Sequence, residues 1–360
     1  MLDAAAAAAD LPPEHQAHHI SPREPMKRAA IAPLPLRAAV VGAGLMGRWH
    51  AHALVRSGGS LRAIIDPRAE RAHALAASYP GARVFPDLEA LLAAERVDVV
   101  HICTPAETHV ELAGLAITGG CHTLVEKPLA PSAAATAELL RLAAERQVLL
   151  CPVHQFLFQP GVLRLQREIH RITPLLHIDS VACSAGAEGL GEEARDRVAF
   201  DILPHPLSLL ARLLPHPLDA TDWQLLHPAA GELRVTGVAE GASLSLLLSM
   251  NGRPTCNLLR VIGGAGTAHL DLFHGFSVIE SGAVSRTRKI LKPITLSGRQ
   301  LAGATHNLLR RALRREPAYP GLRELVRRFY GAARANRSAP VTPEEILTVT
   351  STLDKLRALC

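Results

Sequence analysis

The chain has 360 residues, of which 48% are hydrophobic, 20% charged and 3% aromatic, and its net charge is +6. That apolar content excludes a wholly disordered chain, no apolar run approaches the roughly 20 residues that span a bilayer, and Gly and Cys are too few for collagen or a disulfide scaffold. The length suits about two domains, and with aromatics scarce, small aliphatic side chains must fill the core, which favours helices layered on sheets.

Residues 1–36 open with six consecutive alanines and continue with Pro12, Pro13, Pro22, Pro25, Pro33 and Pro35. They lack the basic and then apolar pattern of a secretory signal, so they read as a mobile tail, with Met26 a plausible alternative start. His15, His18 and His19 have nothing nearby to fix a geometry, and no metal is expected.

Order begins at Arg37. Residues 38–41 form an apolar strand that runs into Gly42-Ala43-Gly44-Leu45-Met46-Gly47, and residues 48–55 read as a helix. This is G-x-G-x-x-G in a strand–turn–helix setting. Gly42 permits the tight turn, Gly44 lets the backbone approach a pyrophosphate, Gly47 allows close packing, and the helix N-terminus faces the anion. A second strand, 61–65, ends in Asp66, about 20 residues on, where a carboxylate suits a ribose hydroxyl. The plainer reading of Asp66 is that it opens a turn before Pro67. A carboxylate repels a 2′-phosphate and so favours NAD over NADP, although Arg68 can pair with that phosphate.

Helices follow at 71–78, 88–95, 106–117 and 132–146, and buried strands at 97–103, 121–125 and 148–151. This alternation predicts an α/β domain, a Rossmann doubly wound parallel sheet over 37–151. Ligands bind off the carboxyl ends of such strands, and those ends carry Gly42, Asp66, Thr104-Pro105, Glu126-Lys127-Pro128 and His154-Gln155.

Three segments, Gly42-x-Gly44-x-Met46-Gly47-x-x-His50, Val97-Asp98-Val99-Val100-x-Ile102-x-Thr104-Pro105-x-x-x-His109 and Val125-Glu126-Lys127-Pro128-Leu129-Ala130, together resemble the Gfo/Idh/MocA family of NAD(P)-dependent oxidoreductases. The resemblance covers residues 37–151. It implies a cofactor site that takes in Leu45, Met46, Thr104, Pro105, His109 and Glu126. It also implies a C-terminal α+β domain, 152–340, with an open, mainly antiparallel sheet that joins subunits into a homodimer or homotetramer. A last helix, in 341–360, is expected to pack back on the first domain.

The second half reads as a helical stretch from Pro160 to Ile172, strands at 175–184, 232–238, 243–250, 257–262 and 268–273, and helices at 302–315 and 322–334. Thr342-Pro343-Glu344-Glu345 starts the final helix, with a good cap and proline in the first turn. Gly263-Gly264-Ala265-Gly266-Thr267 has no helix after it and reads as a hairpin turn. The late arginines, among them Arg310, Arg311, Arg314, Arg315, Arg323, Arg327 and Arg328, lack an aromatic platform for nucleic acid and read as solvated helix faces. A less favoured reading has some of them attracting an anionic substrate. The six cysteines contain no C-x-x-C pair and read as buried free thiols in a reducing, cytoplasmic setting.

Lys127, at a strand end, can donate to a substrate oxygen and stabilise charge on it; the plain alternative is an ion pair with Glu126. The resemblance favours catalysis. The segment Phe200-Asp201-Ile202-Leu203-Pro204-His205-Pro206-Leu207 resembles the family's D-x-G-x-H element. The two prolines require the first turn of a helix over 203–214, ended by Pro215, with Asp201 as its N-terminal cap. His205 beside the helix N-terminus is then expected to be a neutral base, with Asp201 orienting it. Leu203, Ser208 and Leu157 replace polar or glycine positions of the family, which points to a substrate larger or less polar than inositol. His154 and Gln155 are candidates for substrate or nicotinamide-ribose contact.

The expected activity is hydride transfer between NAD (or NADP) and a carbinol or carbonyl carbon of a sugar, cyclitol, nucleotide sugar or related small molecule, with no membrane partner. Alternatives are a non-catalytic NAD-binding regulator and an enzyme that holds NAD as an internal redox shuttle.

Overall fold

The computed structural model describes residues 35–214, 217–282, 285–316 and 318–360. The expected tail, apart from its last two residues, and the helix-ending Pro215 lie outside the described residues.

The first sheet grows from alternating strands and helices: β1 Arg37–Val41, α1 Leu45–Arg56, β2 Ser60–Ile65, α2 Ala69–Ala76, β3 Arg83–Phe85, α3 Leu88–Ala94, β4 Val99–Ile102, α4 His109–Thr118, β5 His122–Val125, α5 Ala133–Glu145 and β6 Leu150–Pro152. All pairs are parallel, in the order β3-β2-β1-β4-β5-β6. Strand order reverses between β1 and β4, which opens a crevice at their carboxyl ends. Every residue of β4 is buried, as a parallel strand covered by helices on both faces requires. The short β3 has only three residues and leaves too little periodicity to be read from the sequence.

The second half contains α6 Pro160–Glu168, β7 Leu175–Cys183, α7 Glu192–Ile202, α8 Pro204–Leu213, β8 Gln224–Ala229, β9 Glu232–Ala239, β10 Ala242–Ser249, β11 Cys256–Gly263, β12 Gly266–Asp271, β13 Phe276–Ser281, α9 Arg286–Arg314, α10 Leu322–Ala335 and α11 Pro343–Ala358. Its seven strands run β13-β12-β11-β7-β10-β9-β8, antiparallel except where β7 meets β10. The expected hairpin turn is present: Gly263 pairs with Gly266, leaving Gly264 and Ala265 as the loop. A Cβ on Gly263 would lie 1.6 Å from the Ile172 carbonyl oxygen, so only glycine fits there.

Four further elements depart from the sequence reading. Helix α9 begins at Arg286, well before residue 302, and carries Pro293 inside it, a residue that argues against helix locally. Strand β8 escapes notice because it contains Pro228 and is exposed at all but one position, so it shows no apolar alternation, and β13 is not among the expected strands either. Helix α7 runs through Asp201, so Asp201 lies in its last turn rather than capping the next helix. The N-cap position of α8 is Leu203, in helical conformation and without a side-chain cap. Pro204 has no N–H to continue the hydrogen-bond ladder, so the chain makes two helices in succession where one was expected.

The last two helices close on what precedes them. Helix α10 packs on α1, and α11 packs on α8 and α5. Thr342 and Glu345 form the expected capping box at the start of α11. The same Glu345 carboxylate accepts a 2.8 Å hydrogen bond from Arg212 of α8, which ties the final helix to the one carrying His205.

Candidate active site

At the crevice, Gly42 has φ +94°, and a Cβ there would lie 2.6 Å from the Cys103 carbonyl oxygen. A Cβ on Gly47 would lie 1.8 Å from the Gly42 carbonyl oxygen, whereas one on Gly44 would meet nothing within 4 Å. The loop is thus pressed against β4 and the start of α1, and open at its middle glycine, as a pyrophosphate cradle requires. Helix α1 starts at Leu45 and Met46 with no side-chain cap and no acidic residue in its first turn, which leaves its first N–H groups for an anion.

Asp66 closes the turn expected of it and also holds the glycine loop. Its Oδ1 accepts from the Arg68 backbone N–H at 2.9 Å, which closes the turn, and its Oδ2 accepts from the Ala43 N–H inside the glycine loop at 2.8 Å. Arg68 itself is exposed. The Thr108 hydroxyl lies 2.7 Å from Thr104 Oγ1 and 2.8 Å from the Pro105 carbonyl oxygen. His109, expected at the cofactor, is buried, and its ring nitrogens meet the carbonyl oxygens of Thr104 at 2.9 Å and Pro128 at 2.7 Å. It thereby joins the β4 loop to the β5 loop.

Glu126 and Lys127 follow β5. Lys127 does not pair with the Glu126 carboxylate through its ammonium group: only its backbone N–H approaches Glu126 Oε2, at 3.3 Å. Its Nζ instead donates to the backbone carbonyl of Asp201 at 3.0 Å. The lysine therefore bridges the first sheet to the end of α7, and Asp201 takes part through its main chain.

His205 is 8% exposed and its ring stacks on Phe156, centroids 4.3 Å apart at an angle of 17°. Burial pushes its pKa well below the usual histidine range, and Lys127 and His154 push the same way. The expectation of a neutral imidazole holds, but the main cause is desolvation. The Asp201 carboxylate is not among the groups that move it. His154 is also buried, and its pKa is pushed down to about 4, chiefly by burial. Nδ1 of each of these two histidines is buried without a hydrogen-bond partner. Such orphaned polar atoms are rare in folded proteins and mark sites where a ligand completes the set.

A cavity of about 1160 Å³ adjoins His205, with Trp49, Gln155, Phe156, Phe273 and Tyr319 in its walls. Leu157, which stands where the family has a polar residue, is itself buried, at 1% exposure.

Sequence reasoning missed a buried string of side chains behind this edge. Glu126 Oε1 lies 3.1 Å from His50 Nε2, His50 Nδ1 lies 2.8 Å from His101 Nδ1, and His101 Nε2 lies 3.0 Å from the Tyr330 hydroxyl. With neutral rings, one proton arrangement satisfies every contact: Tyr330 donates to His101, His101 to His50, and His50 to Glu126. Burial, reinforced by His50, holds His101 well below the usual histidine range, and burial raises Tyr330. His50 stands in the first motif, but His101 lies inside an apolar strand and Tyr330 is 229 residues further on, so no local signal joins them.

Residues 36–154 match the family model described as an oxidoreductase family with an NAD-binding Rossmann fold. This domain is similar to the NAD-binding domain of the Gfo/Idh/MocA family. The chain is 36% identical over 132 residues to a UDP-N-acetylglucosamine 3-dehydrogenase of Acidithiobacillus ferrooxidans, a match covering 37% of this chain and 41% of that one. It is 38% identical over 139 residues to an inositol 2-dehydrogenase of Saccharopolyspora erythraea, covering 38% and 41%. These matches thus span about two-fifths of the relatives' length. The solved structure of the Acidithiobacillus ferrooxidans enzyme is alike in fold over 91% of this chain and 98% of its own, with TM-score 0.69 and 22% identity. The matched domain is described as NAD-binding, and the glycine loop fits a nicotinamide dinucleotide. Among the described residues no helix is long and apolar enough to cross a membrane.

Proposed function

We propose that this chain is an NAD-dependent dehydrogenase acting on a CH–OH carbon of a sugar, cyclitol or nucleotide sugar. The observation that carries the reading is the pairing of a buried, neutral His205 with Lys127 at the junction of the two sheets. The glycine loop, the start of α1 and Asp66 would hold the dinucleotide, whose nicotinamide when bound supplies hydride acceptance. His205 takes the hydroxyl proton as the general base. Lys127 donates to the reacting oxygen and stabilises the negative charge that develops on it. Asp201 supports Lys127 through its carbonyl oxygen. Asp66 favours NAD over NADP by repelling a 2′-phosphate.

The cavity beside His205 is larger than a single sugar ring needs, and its walls are largely aromatic and apolar. This supports a substrate bulkier or less polar than inositol, in keeping with Leu157 and Leu203. A homodimer or homotetramer formed through the second sheet is part of the same proposal.

The test is a panel of cyclitols, free sugars, glycosides and nucleotide sugars followed at the NADH absorbance, run in parallel with NADP. Turnover of one class with NAD as the preferred nucleotide supports the reading. Tight NAD binding with no hydride exchange across the panel, by isotope label, would point instead to a non-catalytic NAD-binding protein.

A further inference from the structure

Cys183 is the last residue of β7 and Cys256 the first of β11, and the two stand directly opposite each other in the antiparallel ladder. Their side chains lie close to each other. Opposed residues of an antiparallel pair have Cα atoms about 4.5 to 5.5 Å apart, inside the roughly 4.4 to 6.8 Å that a disulfide spans. Both thiols are free and half-buried, and both belong to the wall of the cavity that holds His205. The Cys183 sulfur has a fixed seat, since a Cβ on Gly252 would lie 3.0 Å from it. The remaining cysteines differ. Burial raises Cys121 to about 11 and Cys151 to about 12, and raises Cys103 as well, while Cys360 is exposed at the chain end.

We propose that Cys183 and Cys256 are an oxidisable dithiol set into the cavity wall, which a small disulfide of the glutathione type converts into a cross-strand disulfide. One cysteine gives its proton to solvent, and its thiolate attacks a sulfur of glutathione disulfide. A mixed disulfide forms and one glutathione thiolate leaves. The second cysteine, deprotonated in turn, attacks the protein-side sulfur of that bond and releases the other glutathione. The two protein thiols lose two electrons, and the small disulfide gains them to become two glutathione molecules. Burial and the neighbouring Cys256 push the Cys183 thiol up, so exchange is slow near neutral pH and faster as the pH rises. The new bond ties β7 to β11 beside His205 and leaves the glycine loop untouched. Its effect on catalysis rests on the reading that this cavity takes the substrate, whereas its formation does not.

The experiment needs no substrate. The full chain is reduced, desalted and incubated with glutathione disulfide without denaturant, then analysed by thiol titration, intact mass and non-reducing digestion. The expected result is the loss of two thiols, a mass lower by two hydrogens and a peptide joining Cys183 to Cys256, all reversed by dithiothreitol. Cys183→Ser should stop at one glutathionyl group on Cys256, and Cys256→Ala at one on Cys183. NAD affinity, measured before and after oxidation, should stay within about twofold. Stable glutathionyl groups on both cysteines, a bond from either to another cysteine, or unchanged thiols when a control dithiol is fully oxidised would each overturn the proposal. A large loss of NAD affinity would overturn its confinement to the cavity wall.

Discussion

Strand β4 is buried at every position, whereas β8 is exposed at all but one. The difference separates the two halves of the molecule. In the first sheet, strands covered on both faces spell continuous apolar runs, and the work at their ends is done by backbone: a glycine loop, a turn and an open helix start. In the second half, strands present one face outward, and His205 stands at the junction of two helices. On the proposed function, the first half holds the cofactor and contributes Lys127, and the second contributes the base that acts on the substrate.

The largest expected effect falls on the reacting half. His205→Asn should lower turnover roughly 100- to 10,000-fold, the usual range for a lost general base, with NAD affinity nearly unchanged. Because burial holds His205 well below the ordinary histidine range, the wild-type rate of alcohol oxidation should already be level near neutral pH and fall only on clear acidification. A rise centred on the value of free imidazole, seen in kcat/KM against pH, would remove His205 as the base.

Lys127→Met tests whether the division is sharp. It should cost on the order of a hundredfold in turnover, as for a lost charge stabiliser, while NAD affinity stays within a few-fold by titration. Parallel loss of both would mean that Lys127 belongs to the holding half as well.

Acid should damage the reacting half first. His154 is pushed down to about 4 in the fold but titrates near 6.5 when unfolded, so the unfolded chain binds the proton first as pH falls. The stability it contributes, on the order of 3 kcal/mol, is present above about pH 6.5 and is lost as the pH falls toward 4. His154→Gln should flatten that part of a pH–stability curve measured by denaturant unfolding.

Tyr330→Phe removes the donor to His101 Nε2 in a fully buried setting. It should cost about 1 to 3 kcal/mol in unfolding free energy and move kcat more than KM, since the string ends on Glu126 beside Lys127. An unchanged kcat would confine the string to stability.

Asp201→Asn should be the mildest. Lys127 uses the main-chain carbonyl, which the substitution keeps, so turnover is expected within a few-fold of wild type. A large loss would give the carboxylate a part in the reaction.

The sequence made the first sheet legible because its rules are local: apolar runs, glycines and a carboxylate at set spacing. It singled out Asp201 and His205, but it took Asp201 for the cap of one helix where it lies in the last turn of α7, and it gave the helix start as the cause of a neutral His205 where burial is the main one. Both errors come from α7, whose last turn reaches into the motif and whose junction with α8 is set by Pro204. The string behind Glu126 was illegible for another reason: His101 sits in an apolar strand, and its partner lies on a distant helix. Strand β8 was lost to its exposed, proline-bearing sequence, and the start of α9 to Pro293.

The single proton order of the string from Tyr330 to Glu126 has a consequence for inheritance. A partly satisfied buried polar network is worse than an apolar one, so the members cannot be lost one at a time without penalty. Relatives with phenylalanine at the Tyr330 position should carry an apolar residue in place of His101. His50 and Glu126 should then be found as a pair that stands alone, and the His101 and Tyr330 positions should vary together across lineages.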